Sequence, residues 1–169
     1  YNLPEAQMDR FMMKTVMTYP SAEQEVAMLS MLGRQASDSV QFETQEAHAI
    51  SLSDVSYLRS AARRVHVSEE IKKYVVDIVS TSRGSGNHPI KGLSSLVRLG
   101  ASPRASISLI RIAQAQALIN GRDYVIPEDV KSHAHSVLRH RILMTFEALA
   151  DGITSDQVID TIINTIPVP

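Results

Sequence analysis

Helical periodicity is the feature that most constrains the fold of this chain. Six segments place apolar residues on one face at a spacing of three and four residues, which is typical of amphipathic helices. In the clearest segment the apolar stripe follows the capping residue Ser68 and consists of Ile71, Tyr74, Val75, Ile78 and Val79. Six such segments joined by short to medium connections predict an all-α helical bundle.

Start and stop signals delimit these helices. We predict helices from Ser21 to Gly33, from Ser53 to Arg64, after Ser68, over residues 103–119, from Pro127 and from Thr154. The spacings of Ser21 to Gln24 and of Thr154 to Gln157 are those of capping boxes. For the helix over 103–119 the predicted inward face is Ile107, Ile110, Ala113, Ala117 and Leu118. For the next helix it is Val130, Ala134, Val137 and Leu138.

Residues 11–19, FMMKTVMTY, predict a strand that has no evident partner. Their alternation places Met13, Thr15, Met17 and Tyr19 on one face. A lone strand cannot satisfy its backbone hydrogen bonds, and the sequence offers no second convincing strand. We therefore expect the first twenty residues to belong to a larger body that contains a sheet.

Composition excludes several kinds of protein. Apolar residues make up 44% of the 169 positions but aromatic residues only 5%, which favours packed helices over a β-sandwich. A net charge of −1 gives no support to nucleic-acid binding. The absence of cysteine excludes disulfides and thiolate metal sites, and no apolar run predicts a membrane span. His133, His135 and His140 lack the i, i+4 spacing of a helical metal site, so no metal ligand is predicted.

Two arginines are candidate site residues. Arg104 follows Ser102 and Pro103 in the first turn of its helix, where the helix dipole disfavours a cation by about 0.3–1 kcal/mol. A bound anion would attract both this guanidinium and the free backbone N–H groups of the helix start. Arg10 lies in LPEAQMDRF, just before the predicted strand. The simpler alternatives are a surface ion pair of Arg10 with Glu5 or Asp9, and a pair of Arg104 with an acid across the bundle.

No phosphate loop of the G-x-x-x-x-G-K-[ST] type occurs in the sequence, and GSG at 84–86 is interpreted as a flexible break. Five segments, in order LPEAQMDRF, YPSAEQE, GASPRASISLIR, NGRDYVIPEDV and VLRHRI, nevertheless resemble the C-terminal part of MoxR-type AAA+ ATPases. The resemblance covers nearly the whole chain and is weakest over 34–50 and 84–97. One departure is Ile126, where similar sequences often carry a capping threonine.

The resemblance implies a domain organisation and two residue roles. Residues 1–20 would be the last helix and strand of a P-loop αβα core, and residues 21–169 the helical lid. Arg10 would be the arginine finger, presented to ATP on a neighbouring subunit. Arg104 would be the sensor 2 arginine, which contacts the γ-phosphate. Because phosphoryl transfer depends on positioning and charge stabilisation, guanidinium groups suit both roles.

For the whole protein the resemblance implies an ATPase that uses ATP and Mg²⁺, both bound mainly by a core upstream of Tyr1. It implies a cytoplasmic homo-oligomeric ring, expected to be a hexamer, that remodels or matures client proteins such as von Willebrand factor A domain proteins. This segment alone is expected to be inactive because it lacks the phosphate loop. Two alternatives remain open: the lid of a magnesium chelatase-like or helicase-like ATPase of the same clade, and a stand-alone helical interaction module with no nucleotide role.

Overall fold

Helices dominate the structure, a computed structural model that describes residues 4–35 and 50–169. Within these ranges the helices are α1 (Glu5–Met8), α2 (Ala22–Gln35), α3 (Leu52–Arg64), α4 (Glu69–Ser82), α5 (Leu93–Leu96), α6 (Pro103–Ile119), α7 (Pro127–Leu138), α8 (Phe146–Ala150) and α9 (Ser155–Thr165). Two short strands, β1 (Val97–Leu99) and β2 (Leu143–Met144), form an antiparallel pair. The predicted all-α class is confirmed.

The chain divides into two compact units, residues 15–55 and residues 1–14 together with 56–169. In the larger unit α6 packs against α4 and α7, and α9 packs against α4 and α7. Both predicted apolar faces of α4 and α7 are buried, as are Ile159 and Ile162 of α9. Burying side chains of this size contributes about 1.5–3 kcal/mol each, so this four-helix core is the main source of stability in the unit.

Most predicted caps form, with one correction. The Ser68 hydroxyl accepts from the Ile71 N–H at 3.3 Å, and Thr154 and Gln157 form a reciprocal capping box. The predicted cap of α3, Ser53, is wrong, because the helix is capped by Ser51. The Ser51 hydroxyl accepts from the Asp54 N–H at 3.1 Å, and the Asp54 carboxylate accepts from the Ser51 N–H at 2.9 Å. Ser51 has a carboxylate three positions later, which Ser53 lacks.

The predicted end of the first long helix is also corrected. Helix α2 begins where predicted, because Ser21 and Gln24 form their reciprocal pair. It continues past Gly33 to Gln35. A glycine inside a helix costs only about 1 kcal/mol relative to alanine, so it does not by itself end one.

The strand predicted over residues 11–19 is absent. Residues 13–20 belong to no helix or strand, and the Lys14 N–H donates to the Ser136 carbonyl at 2.7 Å. Alternation of side chains does not make a strand without a hydrogen-bonding partner. The pair β1–β2 was not predicted, because strands of two and three residues are too short to show a periodic pattern.

The inward face of α6 is only partly as predicted. Ala113 and Ala117 are buried, whereas Ile107 is 53% exposed. The remaining buried positions are Ala105, Ser108, Leu109 and Ile112. Apolar residues occur on several sides of this helix, and the side rich in small residues packs against the core. Ile107 is consequently left at the surface beside Arg104.

We expect Gly100→Ala to destabilise the fold by about 2 kcal/mol, because a side chain there overpacks the structure. A Cβ atom at Gly100 would collide with the carbonyl group of Ser82 and lie 2.7 Å from the Arg83 nitrogen. These are backbone atoms that cannot rotate away. Chemical denaturation measures the effect, with the exposed Ser94→Ala as control, expected within about 0.5 kcal/mol of the unmodified protein. Equal stability of both variants would contradict the close packing.

Candidate functional site

The N-terminus of α6 is fixed against the end of α4. The Ala101 N–H donates to the Ser82 hydroxyl at 3.0 Å, and the Arg83 guanidinium donates to the Ala101 carbonyl at 2.7 Å. Ser102 is the N-cap, and its hydroxyl accepts from the Arg104 N–H at 3.2 Å. The predicted helix start is confirmed, and Arg104 therefore projects from a rigid helix terminus.

Arg104 lies at the surface and not inside the bundle. Its side chain is 54% exposed, and its Nη1 lies 3.7 Å from Oδ2 of Asp9. The Ser102 hydroxyl donates to the same carboxylate, at 2.9 and 3.1 Å. Asp9 is thus a resident anion beside the helix start, as the simpler alternative for Arg104 predicts. The ion pair is long and exposed, so it restrains the guanidinium only weakly.

Arg10 is exposed and is not engaged by either acid proposed as its partner. Glu5 forms an ion pair with Arg98, and Asp9 pairs with Arg141 at 3.1 Å. Within residues 4–35 and 50–169, Arg10 forms no ion pair. The simple surface salt bridge therefore does not account for Arg10.

The two predicted site residues line one cavity of about 360 Å³. Its wall comprises Asp9, Arg10, Met12, Arg104, Ile107, Ser108, Arg111 and Arg141. Four arginines and one carboxylate line it, and because Arg141 pairs with Asp9, the other three guanidinium groups leave the cavity with a positive charge that favours an anion. Arg111 was not predicted as a site residue. It lies seven residues, about two helical turns, after Arg104, and that spacing places both on the same side of α6.

Arg141, in the segment VLRHRI, is the other residue that the sequence did not single out. Its side chain is 1% exposed. The guanidinium donates to the Asp9 carboxylate, to the Ser108 hydroxyl and to four backbone carbonyls, those of Asp9, Phe11, Met12 and Val137. Burial lowers the pKa of Arg141, and the hydrogen bond to Asp9 opposes that shift. All donor nitrogens are used, so Arg141 acts on the protein itself and not on a ligand.

His140 contacts the same turn. Its Nε2 lies 3.1 Å from the Phe11 carbonyl, which can only accept, so this nitrogen carries the proton. Burial lowers the pKa of His140, although the hydrogen bond to Phe11 opposes it. The imidazole is therefore neutral at pH 7 and serves as a second donor to the Phe11 carbonyl.

The described residues contain no group of three or more His, Asp or Glu side chains suited to hold a metal ion. Nor does any of the described helices have the length and apolar character needed to cross a membrane.

Comparison with protein families indicates the class of protein to which this domain is similar. Residues 93–162 match the family described as AAA lid domain. This range contains α6, α7 and the arginines Arg104, Arg111 and Arg141. Residues 93–162, which lie within the larger unit, are thus similar to the lid domain of AAA+ ATPases.

Proteins of the MoxR group are similar to this sequence over its whole length. It is 38% identical to Chaperone MoxR1 of Mycobacterium tuberculosis, covering 43% of that protein, and 28% identical to Protein MoxR of Paracoccus denitrificans, covering 52%. The crystal structure of a candidate ATPase from Cytophaga hutchinsonii matches the entire chain with 36% identity and a TM-score of 0.85, over 50% of its own length. The resemblance to the MoxR-type AAA+ ATPases is confirmed. The chain spans about half the length of these relatives.

Proposed function

We propose that this chain supplies the lid, the arginine finger and the sensor 2 arginine of an ATPase that hydrolyses ATP to remodel partner proteins. The observation that carries the proposal is the shared cavity. Arg10 and Arg104 both line it, and both side chains are exposed to solvent. In the proposed organisation, residues 1–20 are the edge of the ATPase core and residues 21–169 form the lid.

The chemistry of the cavity suits a triphosphate. The γ-phosphate spreads negative charge over three oxygens in the transition state, and guanidinium groups donate to such oxygens through a planar fork. Arg104 has only a weak ion pair to give up, and Arg10 has none among the described residues. Both side chains can therefore turn toward phosphate oxygens without breaking a buried interaction.

The remaining parts of the catalytic site are proposed to lie in the core. The core would hold Mg²⁺ and the β- and γ-phosphates, and the metal would neutralise charge on the phosphates when bound. Arg10 and Arg104 then contribute positive charge from the side of the phosphates that faces away from the Mg²⁺. Supplying Arg10 to a neighbouring subunit makes turnover depend on ring assembly, and we propose a hexamer.

The proposed work of the ring is chaperone-like remodelling or maturation of client proteins in the cytoplasm. The name of the mycobacterial relative, Chaperone MoxR1, supports the class of work. Clients with a von Willebrand factor A domain are proposed from the family resemblance alone.

Arg104→Ala in the full-length ATPase is expected to lower kcat for ATP by about 10²–10³, comparable to the loss of one donor to transition-state charge. Arg98→Ala is the matched control, because Arg98 is also exposed and paired with an acid but does not line the cavity. Steady-state phosphate release measures both. Unchanged turnover in both Arg104→Ala and Arg10→Ala would favour a helical interaction module with no nucleotide role.

A further inference from the structure

The turn that carries Arg10 is held from inside the lid. Among its backbone carbonyls, those of Asp9 and Phe11 accept from Nη2 of Arg141 at 3.1 and 2.6 Å. The Met12 carbonyl accepts from Nη1 at 3.2 Å. Arg10 therefore lies between backbone groups that one guanidinium fixes, while its own side chain forms no ion pair within residues 4–35 and 50–169.

Arg141 is itself anchored at the other end. Its Nη1 donates to the Val137 carbonyl of α7 at 2.5 Å, and its Nη2 approaches the Ser108 hydroxyl of α6 at 3.3 Å. A planar guanidinium with every donor engaged has one orientation. The direction of the Arg10 turn is thus set by the interface between α7 and α6, and α6 is the helix that bears Arg104.

Three features make this more than a packing contact. Buried arginines normally pair with carboxylates, yet most acceptors of Arg141 are carbonyls, three of them in residues 9–12. Its Nε also donates to the Asp9 carboxylate at 3.1 Å, which supplies the neutralising charge. His140, the preceding residue, adds a second donor to the Phe11 carbonyl.

We infer that Arg141 is the positioning residue for Arg10: it orients the turn of residues 9–12 so that the Arg10 side chain points at the nucleotide. This rests on the proposed function, in which Arg10 acts on ATP. Arg141 makes no contact with the substrate. Its contribution is to hold the Arg10 guanidinium in the position needed for reaction. A displacement of about 1 Å from such a position costs on the order of 10² in rate.

The test is Arg141→Lys in the full-length ATPase. Lysine keeps the positive charge but offers one ammonium in place of a planar fork, so it cannot hold the separate carbonyls together. We expect kcat for ATP to fall by about 10- to 100-fold while KM changes by less than roughly 3-fold, since Arg10 acts in the transition state. Melting curves and circular dichroism verify that the variant is folded.

Arg139→Lys is the matched control. Arg139 is two residues away and partly buried, and it pairs with Asp156 at 3.1 Å, but it touches no part of the Arg10 turn. We expect its kcat to stay within roughly 2-fold of the unmodified enzyme, because the charge of a partly exposed pair is kept. A general requirement for packing at the end of α7 would instead reduce both variants alike, which contradicts the positioning role.

A double-mutant cycle separates this inference from the proposed function. If Arg141 acts through Arg10, Arg141→Lys has little further effect on kcat in an Arg10→Ala background. A full additional loss in that background overturns the positioning role, whereas unchanged turnover in Arg10→Ala alone overturns the arginine-finger role in the proposed function. If Arg141→Lys does not fold, Asp9→Asn replaces it. Asparagine weakens one bond to Arg141 and is expected to give a smaller loss in kcat with the same non-additivity, and wild-type kcat would overturn the inference.

Discussion

Under the proposed function, replacing Arg10 with alanine in the full-length ATPase is expected to reduce ATP turnover by about 10³ or more, the loss typical of a missing arginine finger. The side chain is exposed, lines the cationic cavity and has no ion pair among the described residues, so its removal breaks no visible structural contact. The loss should therefore appear in kcat and not in stability. Phosphate release at saturating ATP, with a thermal melt of the same sample, measures both quantities.

A mixing experiment makes the Arg10 prediction specific. Arg10→Ala subunits are combined with subunits in which the lysine of the core phosphate loop has been replaced. If Arg10 acts on the nucleotide of its neighbour, mixed rings regain part of the activity that each variant lacks alone. Mixed rings as inactive as either parent, together with normal assembly, would show that Arg10 acts within its own subunit. Full turnover in rings made only of Arg10→Ala subunits would show that Arg10 is not an arginine finger.

Sequence reasoning succeeded where the controlling interaction is local. The hydroxyl of Ser68 meets an N–H three residues later, and Thr154 and Gln157 pair over the same distance. The apolar stripes of α4 and α7 follow from helical periodicity alone. The position of Arg104 in the first turn of α6 follows from Ser102 and Pro103 in the same way.

The same reasoning failed where the interaction joins distant parts of the chain. Arg141 and Asp9 are 132 residues apart, and nothing in VLRHRI indicates that an arginine there is buried. The strands β1 and β2 pair over more than forty residues and are too short to show a pattern. The face of α6 was misassigned at Ile107, because apolar residues surround the helix and only its neighbours decide which side is buried.

Whether Arg10 and Arg104 share a cavity was beyond the sequence for the same reason. Their segments lie about ninety residues apart, and the contact between them runs through Asp9, Ser102 and Arg141. The family resemblance implied one role for Arg10 and another for Arg104, but it did not place the two side chains together. The geometry adds that both side chains face one space, with Arg111 as a further cation.

The second large effect is expected from Asp129→Ala, which should lower the free energy of unfolding by about 3 kcal/mol, as removal of one partner of a buried ion pair does. Asp129 is 3% exposed and accepts from Arg122 at 2.6 and 2.8 Å and from the Ile126 N–H at 2.9 Å. Ile126 has no polar side-chain atom to cap α7, so Asp129 is the remaining half of that cap. The exposed neighbour Glu128→Ala is the control, expected to change stability by less than about 1 kcal/mol.

The pH dependence of this effect has a definite sign. Burial alone would raise the pKa of Asp129, but the hydrogen bonds from Arg122 and Ile126 outweigh it and lower the pKa below the ordinary value. The stabilisation from the ionised group is complete above the unfolded pKa of about 3.9 and is lost as the pH falls through the lower folded value. Urea denaturation of the unmodified protein and Asp129→Asn should therefore give a constant difference from about pH 7 to 5, which shrinks below about pH 4. A difference that grows on acidification would mean that Asp129 is held in its protonated form, and the ion pair with Arg122 would then not account for the stability of this loop.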